Sequence, residues 1–132
     1  MSGKECVSFK VMLVEDDEHF RQSLTGLLAA RFPSIVISEA ANGTEAMAKI
    51  ESFLPDLIFM DIKLTGQNGL EITRSVKAIH PEIYVIMLTS YDFPEYREAA
   101  RKCGAYGFLS KGTSTAEDIE NLVEELWAKC AA

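Results

Sequence analysis

The sequence has no long hydrophobic segment, few cysteines and a shortage of positive charge, and each of these features excludes a class of protein. No apolar stretch approaches the roughly 18 residues that a membrane-spanning helix needs, so we expect no membrane partner. The first ten residues contain Lys4, Glu5 and Lys10 and lack the apolar core of a secretory signal. We therefore expect a cytoplasmic protein.

The three cysteines, Cys6, Cys103 and Cys130, are an odd number and lie far apart in the sequence. They form no CxxC pair and no Cys/His cluster, which argues against a zinc site. A cytoplasmic protein keeps its thiols reduced. We therefore expect three reduced cysteines without a functional role.

Basic residues are outnumbered, because 13 lysines and arginines stand against 20 acidic residues and the formal net charge is -7. Affinity for DNA comes largely from basic side chains that displace counterions from the phosphates. We therefore expect that this chain does not bind nucleic acid directly. The length of 132 residues and the apolar fraction of 48% fit one soluble globular domain.

Four apolar segments end at residues that are suited to phosphate or metal chemistry. If these segments are parallel strands of one buried sheet, their carboxyl ends lie side by side, where open α/β sheets bind ligands. Acids, a hydroxyl group and an ammonium group would then converge at one edge. Residues 9–14 precede Glu15, Asp16 and Asp17; residues 57–60 precede Asp61; residues 84–88 precede Thr89; and residues 106–109 precede Ser110 and Lys111.

The apolar segments alternate with stretches of helical periodicity, which is typical of βα units. With a short second strand at residues 35–37, the pattern predicts five strands and five helices within residues 9–130. Residues 1–8 are expected to be an N-terminal leader and residues 131–132 a C-terminal tail. Right-handed crossovers favour a flavodoxin-like, doubly wound parallel sheet of order 2-1-3-4-5, with helices on both faces.

Local signals predict where some helices begin. Asp17 is expected to be a helix cap or a solvated acid and not a metal ligand, and Asp92 is a candidate cap for the fourth helix, with Pro94 in its first turn. Thr115 and Asp118 have the spacing of a capping box before the last helix. Residues 63–69, which contain Gly66 and the pair Asn68-Gly69, are predicted to form a loop.

Three carboxylates in this sheet order would lie close together and would need a cation. At about 6 Å and an effective dielectric constant of about 20, each pair repels by about 3 kcal/mol. Oxygen ligands with positions left for water and phosphate suit Mg²⁺ better than zinc. Glu15 and Asp16 are adjacent and well placed to share the metal, whereas Asp61 stands alone at the end of a central strand.

Asp61 is therefore the best candidate to accept a phosphoryl group. Its carboxylate could attack phosphorus while the metal and Lys111 neutralise the incoming charge. The Thr89 hydroxyl and the Lys111 ammonium could hold the phosphoryl oxygens.

These motifs, in this order and spacing, resemble the receiver domain of bacterial two-component response regulators. The resemblance covers about residues 9–130. It rests on Val14-Glu15-Asp16-Asp17, Phe59-Met60-Asp61, Leu88-Thr89-Ser90 and Leu109-Ser110-Lys111.

The resemblance implies that Asp61 accepts a phosphoryl group from a histidine kinase or a histidine phosphotransfer protein. The chain would catalyse its own phosphorylation and dephosphorylation and would not be an enzyme acting on a separate substrate. Mg²⁺ would be bound by Asp16, Asp61 and the backbone carbonyl of Lys63, and by Glu15 through a water molecule.

The resemblance also implies a conformational switch. Thr89 and Lys111 match the hydroxyl and the lysine that contact the phosphate, and Thr89 and Phe108 match the two switch positions. Phosphorylation would then remodel the face formed by helix 4, strand 5 and helix 5, through which the domain would contact an output domain or a dimer partner.

Several positions depart from the family pattern. Thr65 stands where many relatives have Pro and Asn68 where many have Asp, and neither supplies an essential ligand. Gly112 follows Lys111 where many relatives have a cis proline. A cis bond before a residue other than proline is unfavourable by about 2.5 to 4 kcal/mol, so we expect a trans bond here.

Two alternatives remain open from the sequence. A Mg²⁺-dependent phosphatase or phosphotransferase could use Asp61 as a transient nucleophile. Such enzymes commonly carry a second acid two residues later, where this chain has Lys63. A receiver-like interaction module that works without phosphorylation is the other alternative, and the intact set of acids argues against it.

Overall fold

Strands and helices alternate along residues 8–131, which are the residues that the computed structural model describes. The main strands are β1 (Lys10–Val14), β2 (Val36–Ala40), β3 (Leu57–Met60), β4 (Tyr84–Thr89) and β5 (Gly107–Ser110). The helices are α1 (Glu18–Arg31), α2 (Gly43–Phe53), α3 (Gly69–Ile79), α4 (Pro94–Cys103) and α5 (Ala116–Ala131). Most of the predicted leader, residues 1–8, and the last residue of the predicted tail lie outside the described residues, as does Cys6.

The five main strands form one parallel sheet in the order β2-β1-β3-β4-β5. This order and the helices on both faces confirm the predicted flavodoxin-like fold. The second strand extends to Ala40, further than predicted. Because β1 lies between β2 and β3, the residues after β1 face the residues after β3 across the switch point of the sheet.

The sheet is buried on both faces, so its central strands consist of continuous apolar residues. Met12 and Val14 of β1 face one core, and Val11 and Leu13 face the other. The first core is covered by α2, α3 and α4, and the second by α1 and α5. Both faces therefore fix the strands that carry the acidic residues.

Two of the predicted helix starts are confirmed. The side chain of Asp17 accepts a hydrogen bond from Phe20 N at 3.2 Å and caps α1. Before α5, Asp118 N donates to Thr115 Oγ1 at 3.1 Å while Thr115 N donates to Asp118 Oδ2 at 2.9 Å. These two reciprocal bonds are those of a capping box.

The predicted cap of α4 is wrong. Phe93 occupies the N-cap position without a side-chain hydrogen bond, and Pro94 begins the helix as expected. Asp92 instead accepts two bonds from the guanidinium of Arg97, at 2.6 and 3.1 Å. Two charge-assisted bonds to arginine are stronger than one bond to a backbone N–H, which explains the choice of partner.

The predicted loop after β3 contains an unexpected antiparallel pair, in which Lys63–Leu64 lies against Gln67–Asn68. We refer to residues 63–68 as the hairpin. Its two turn residues are Thr65 and Gly66, and Gly66 has a φ of +72°. Thr65 and Gly66 are the second and third residues of a four-residue β-turn, residues 64–67. Gly66 has a positive φ and Thr65 does not, which is the φ pattern of a type II turn.

The expectation for the cysteines holds in part. Cys103 is free and buried, as predicted. Cys130 is disulfide-bonded, so the prediction of a reduced thiol is wrong there. Within residues 8–131, no helix is both long enough and apolar enough to cross a membrane.

His80 at the end of α3 gives a pH-dependent contact away from the sheet edge. Its Nε2 lies 2.9 Å from Glu51 Oε2 on α2, and this hydrogen bond raises the pKa of His80 above its ordinary value of 6.5. Because the pKa of His80 is raised in the folded state, the contact stabilises the fold fully below pH 6.5. This stabilisation is lost as the pH rises through the folded-state pKa.

We expect Glu51→Gln to lower the pKa of His80 toward its ordinary value, because the amide removes the charge that favours the imidazolium. An NMR titration of the histidine ring signals measures this change, and His19 on α1 provides an internal reference. A titration of His80 that is the same in both proteins would contradict the prediction.

Candidate functional site at the carboxyl edge of the sheet

Backbone hydrogen bonds continue past the ends of the strands and fix the residues of the site. Glu15 N donates to Ala40 O at 3.0 Å, and Asp61 N donates to Val14 O at 3.1 Å. Between the ends of β4 and β5, Lys111 N donates to Thr89 O at 2.9 Å. The parallel ladder therefore places residues from four strands at one edge, as the sequence predicts.

Three acidic side chains meet at this edge. Glu15, Asp16 and Asp61 each offer one carboxylate oxygen, and these three oxygens lie within 4.8 Å of one another. Glu15 and Asp61 are buried, with 5% and 6% of their surface exposed, whereas Asp16 is exposed. The cluster is therefore open to solvent on the side of Asp16.

Lys111 neutralises part of this charge. Its Nζ lies 2.6 Å from Glu15 Oε1 and 3.0 Å from Asp61 Oδ2. The same ammonium lies 4.4 Å from the centre of the Phe20 ring, within the range of a cation–π contact. Lys111 therefore pairs with Asp61, and Glu15 is a second partner that the sequence did not reveal.

Burial and ion pairing shift the pKa values of Glu15 and Lys111, and both values are raised. Burial raises the pKa of Glu15, and it outweighs the hydrogen bonds from Lys111 and from Asp17 N–H that lower it. Burial alone would lower the pKa of Lys111, but its hydrogen bonds to Glu15 and Asp61 outweigh this effect and raise that pKa. The ammonium is therefore held in its charged form.

The residues of the cluster fit a hard cation such as Mg²⁺. Asp61 Oδ1 is buried and has no hydrogen-bond partner among the residues that the structure describes. A buried carboxylate oxygen without a donor is unfavourable, and a cation would compensate it. Three carboxylates that each offer one oxygen leave room for water and phosphate around the metal.

Thr65 takes part in the site, and sequence reasoning missed it. Asp16 Oδ2 accepts hydrogen bonds from Thr65 N at 3.0 Å and from Thr65 Oγ1 at 2.9 Å. From the sequence alone, Thr65 is only a departure from the family pattern that supplies no essential ligand. One sequence signal for this contact was available. Thr65 places a hydroxyl group in the turn after the central acid, at a position where a proline would offer no hydrogen-bond donor.

The two predicted switch residues lie on neighbouring strands. Thr89 ends β4 and is fully buried, and its Oγ1 accepts a hydrogen bond from Tyr91 N at 3.2 Å. Phe108 lies on β5 and packs against the core under α4, with its ring 4.7 Å from the guanidinium carbon of Arg97. The described contacts of Phe108 are thus with the α4 side, away from the carboxylates.

Lys63 and Gly112 flank the cluster. The Lys63 ammonium lies 5.3 Å from the centre of the Tyr91 ring, and the role of its backbone carbonyl as a ligand stays a prediction. The bond between Lys111 and Gly112 is trans, as expected, because the described residues contain no cis peptide bond. Gly112 N donates to Ser110 Oγ at 3.2 Å.

Comparisons with known proteins agree with this arrangement. The family model of the response regulator receiver domain matches residues 11–124. The chain is 36% identical over 121 residues to the response regulator protein VraR of Staphylococcus aureus, covering 90% of this chain and 56% of that protein. It is 32% identical over 111 residues to the response regulator GacA of Pseudomonas syringae pv. syringae, covering 84% of this chain and 52% of that protein.

A solved structure shares the fold. The chain matches a DNA-binding response regulator of the LuxR family from Staphylococcus aureus with a TM-score of 0.82 and 25% identity, covering 90% of this chain and 98% of that chain. The chain spans about half the length of the curated relatives that it matches. Because the family model covers most of the sequence, including every acid of the cluster, the chain belongs to the response regulator receiver domain family.

Proposed function

We propose that Asp61 is the phosphoacceptor of a two-component signalling domain and receives its phosphoryl group from a histidine kinase or a histidine phosphotransfer protein. The observation that carries this proposal is the buried Asp61 Oδ1, which has no hydrogen-bond partner among the described residues and lies beside two more acids. A carboxylate can bind a metal through one oxygen and attack phosphorus with the other.

Mg²⁺ would be held by Asp16, Asp61 and the Lys63 carbonyl, and by Glu15 through water. When bound, the metal supplies positive charge for the oxygens of the transferring phosphoryl group. An Asp61 oxygen forms a bond to phosphorus, the bond from phosphorus to the donor histidine breaks, and its electron pair returns to the imidazole nitrogen. Lys111 exchanges its contact with Asp61 for a phosphoryl oxygen.

The remaining residues act on the product. The Thr89 hydroxyl would donate to a phosphoryl oxygen, and its oxygen now accepts a hydrogen bond from Tyr91 N. Attack of water on phosphorus later releases phosphate and restores Asp61. The domain thus acts on its own aspartate and not on a separate metabolite, and we assign this activity to residues 9–130, leaving residues 1–8 and 131–132 outside it.

We further propose that phosphorylation changes the face formed by α4, β5 and α5. An inward Thr89 would make space for Phe108, whose ring now contacts Arg97 of α4. This face would contact an output domain or a dimer partner. This chain covers about half the length of the curated relatives, and one structural relative is a DNA-binding regulator, which supports a DNA-binding output elsewhere. The net charge of -7 disfavours DNA contact by this chain itself.

Intact-mass spectrometry after incubation with Mg²⁺ and acetyl phosphate tests the phosphoacceptor. We expect the wild-type protein to gain one phosphoryl group, and the Asp61→Asn protein and a metal-free sample to gain none. Circular dichroism verifies that the variant is folded. A folded wild-type protein that gains no mass, or an Asp61→Asn protein that gains it equally, would overturn the proposal.

A further inference from the structure

Asp16 differs from the other two acids of the cluster in how it is held. Glu15 and Asp61 are buried and paired with Lys111, whereas Asp16 is exposed. An exposed aspartate samples several rotamers in water, and ordering a side chain for a ligand opposes binding. The two hydrogen bonds from Thr65 to Asp16 Oδ2 remove this freedom before any metal binds.

Thr65 can hold Asp16 because its own backbone is fixed at both ends of the hairpin. Gly69 N donates to Ile62 O at 2.7 Å and closes the base of the hairpin. Near the tip, Gln67 Oε1 accepts hydrogen bonds from Gly43 N at 2.6 Å and from Thr44 N at 3.2 Å, at the start of α2. The turn is therefore attached to a helix on one side and to β3 on the other.

We infer that Thr65 is a positioning residue for Mg²⁺ binding in this chain. Both of its donors engage the same oxygen of Asp16, so the other oxygen can be presented to the cation. Partners that orient a metal ligand in this way raise metal affinity without touching the metal. The inference rests on the proposed function, because it assumes that the acidic cluster binds Mg²⁺.

The chain permits a set of variants that separate the two donors. Thr65→Ser keeps the hydroxyl and the N–H, Thr65→Val removes the hydroxyl, and Thr65→Pro removes both. Proline is compatible with this position because Thr65 is the second residue of a type II turn with Gly66 third, where proline is common. All three variants alter an exposed side chain, so we expect their unfolding curves in EDTA to match the wild type.

Isothermal titration calorimetry with MgCl₂ on the full chain tests the inference. We expect Thr65→Ser to bind like the wild type, Thr65→Val to bind more weakly, and Thr65→Pro to bind about tenfold more weakly, at the low end of the range for such partners. Unchanged or tighter Mg²⁺ binding by Thr65→Pro would overturn the inference, and tighter binding would mean that Thr65 competes with the metal.

A double-mutant cycle with Asp16→Asn shows whether the effect passes through Asp16. If it does, Thr65→Pro loses most of its effect on Mg²⁺ affinity in the Asp16→Asn background. An equal loss in both backgrounds would overturn the inference. Failure of the proposed function is distinguishable, because it would leave the wild-type protein without Mg²⁺-dependent and Asp61-dependent phosphorylation, whereas failure here leaves that phosphorylation intact.

Discussion

Gly69→Ala is expected to destabilise the protein by about 3 kcal/mol, at the upper end of the usual cost of overpacking. A Cβ atom at this position would lie 1.9 Å from the carbonyl oxygen of Asp61 and 2.9 Å from its carbonyl carbon. These neighbours are backbone atoms, so no side-chain rotation relieves the clash. Either α3 or the residues after β3 must move.

The same movement would disturb the phosphoacceptor, because Gly69 N also donates to Ile62 O beside Asp61. We therefore expect slower phosphorylation of Gly69→Ala by acetyl phosphate, measured by intact mass, together with a lower midpoint in urea denaturation. Gly26→Ala is the matched control. A Cβ at Gly26 of α1 meets no atom within 4 Å, so alanine there is expected to stabilise the protein by about 0.5–1 kcal/mol. Equal midpoints for the two variants would contradict this account.

Lys111→Met should destabilise the metal-free protein by about 3 kcal/mol, the lower end of the range for breaking a buried ion pair. The change removes the ammonium that lies 2.6 Å from Glu15 Oε1 and 3.0 Å from Asp61 Oδ2, and leaves two buried carboxylates facing each other. We choose the lower end because 15% of the Lys111 side chain is exposed. Urea denaturation in EDTA measures the loss.

Mg²⁺ should restore part of the stability of Lys111→Met, because a cation bound by the folded state replaces the missing charge and shifts the unfolding equilibrium. Asp61→Asn added to Lys111→Met should also recover stability in EDTA, since one buried carboxylate then remains. Lys129→Met on the exposed surface of α5 is the control and should change stability by no more than about 0.5 kcal/mol. A Lys111→Met protein as stable as this control would show that the ammonium does not hold the site together.

The strands and the position of the acids could be predicted because they follow from strong patterns. Residues 57–60 are apolar without interruption, since β3 is buried on both faces, and right-handed crossovers leave only a few strand orders, of which 2-1-3-4-5 is the natural candidate. The placement of Asp61, Lys111 and Glu15 at one edge follows from that order. The contact between Lys111 and Glu15 does not, because two strands separate β1 from β5.

Contacts that depend on competition between local partners could not be predicted. Asp92 has the sequence of a helix cap, yet Arg97 offers it a bidentate pair. The hairpin after β3 has too few residues to show a strand pattern, so the Thr65 hydroxyl was the one sequence signal for the contact with Asp16. Both cases depend on which partner a single side chain can contact. The periodicity of apolar residues shows only which face of a helix or strand is buried.

The pairing of α1 with α5 over one face of the sheet has a consequence for how a newly synthesised chain folds. Arg31 near the end of α1 bonds to Glu124 of α5, and Val123 of α5 completes the core under Leu13 and Phe59. On the ribosome, the apolar side of β1 and β3 stays only partly covered, by α1, until α5 has emerged. The interval between the synthesis of the acids and that of α5 is therefore the period in which apolar surface of the nascent chain is exposed and favours aggregation.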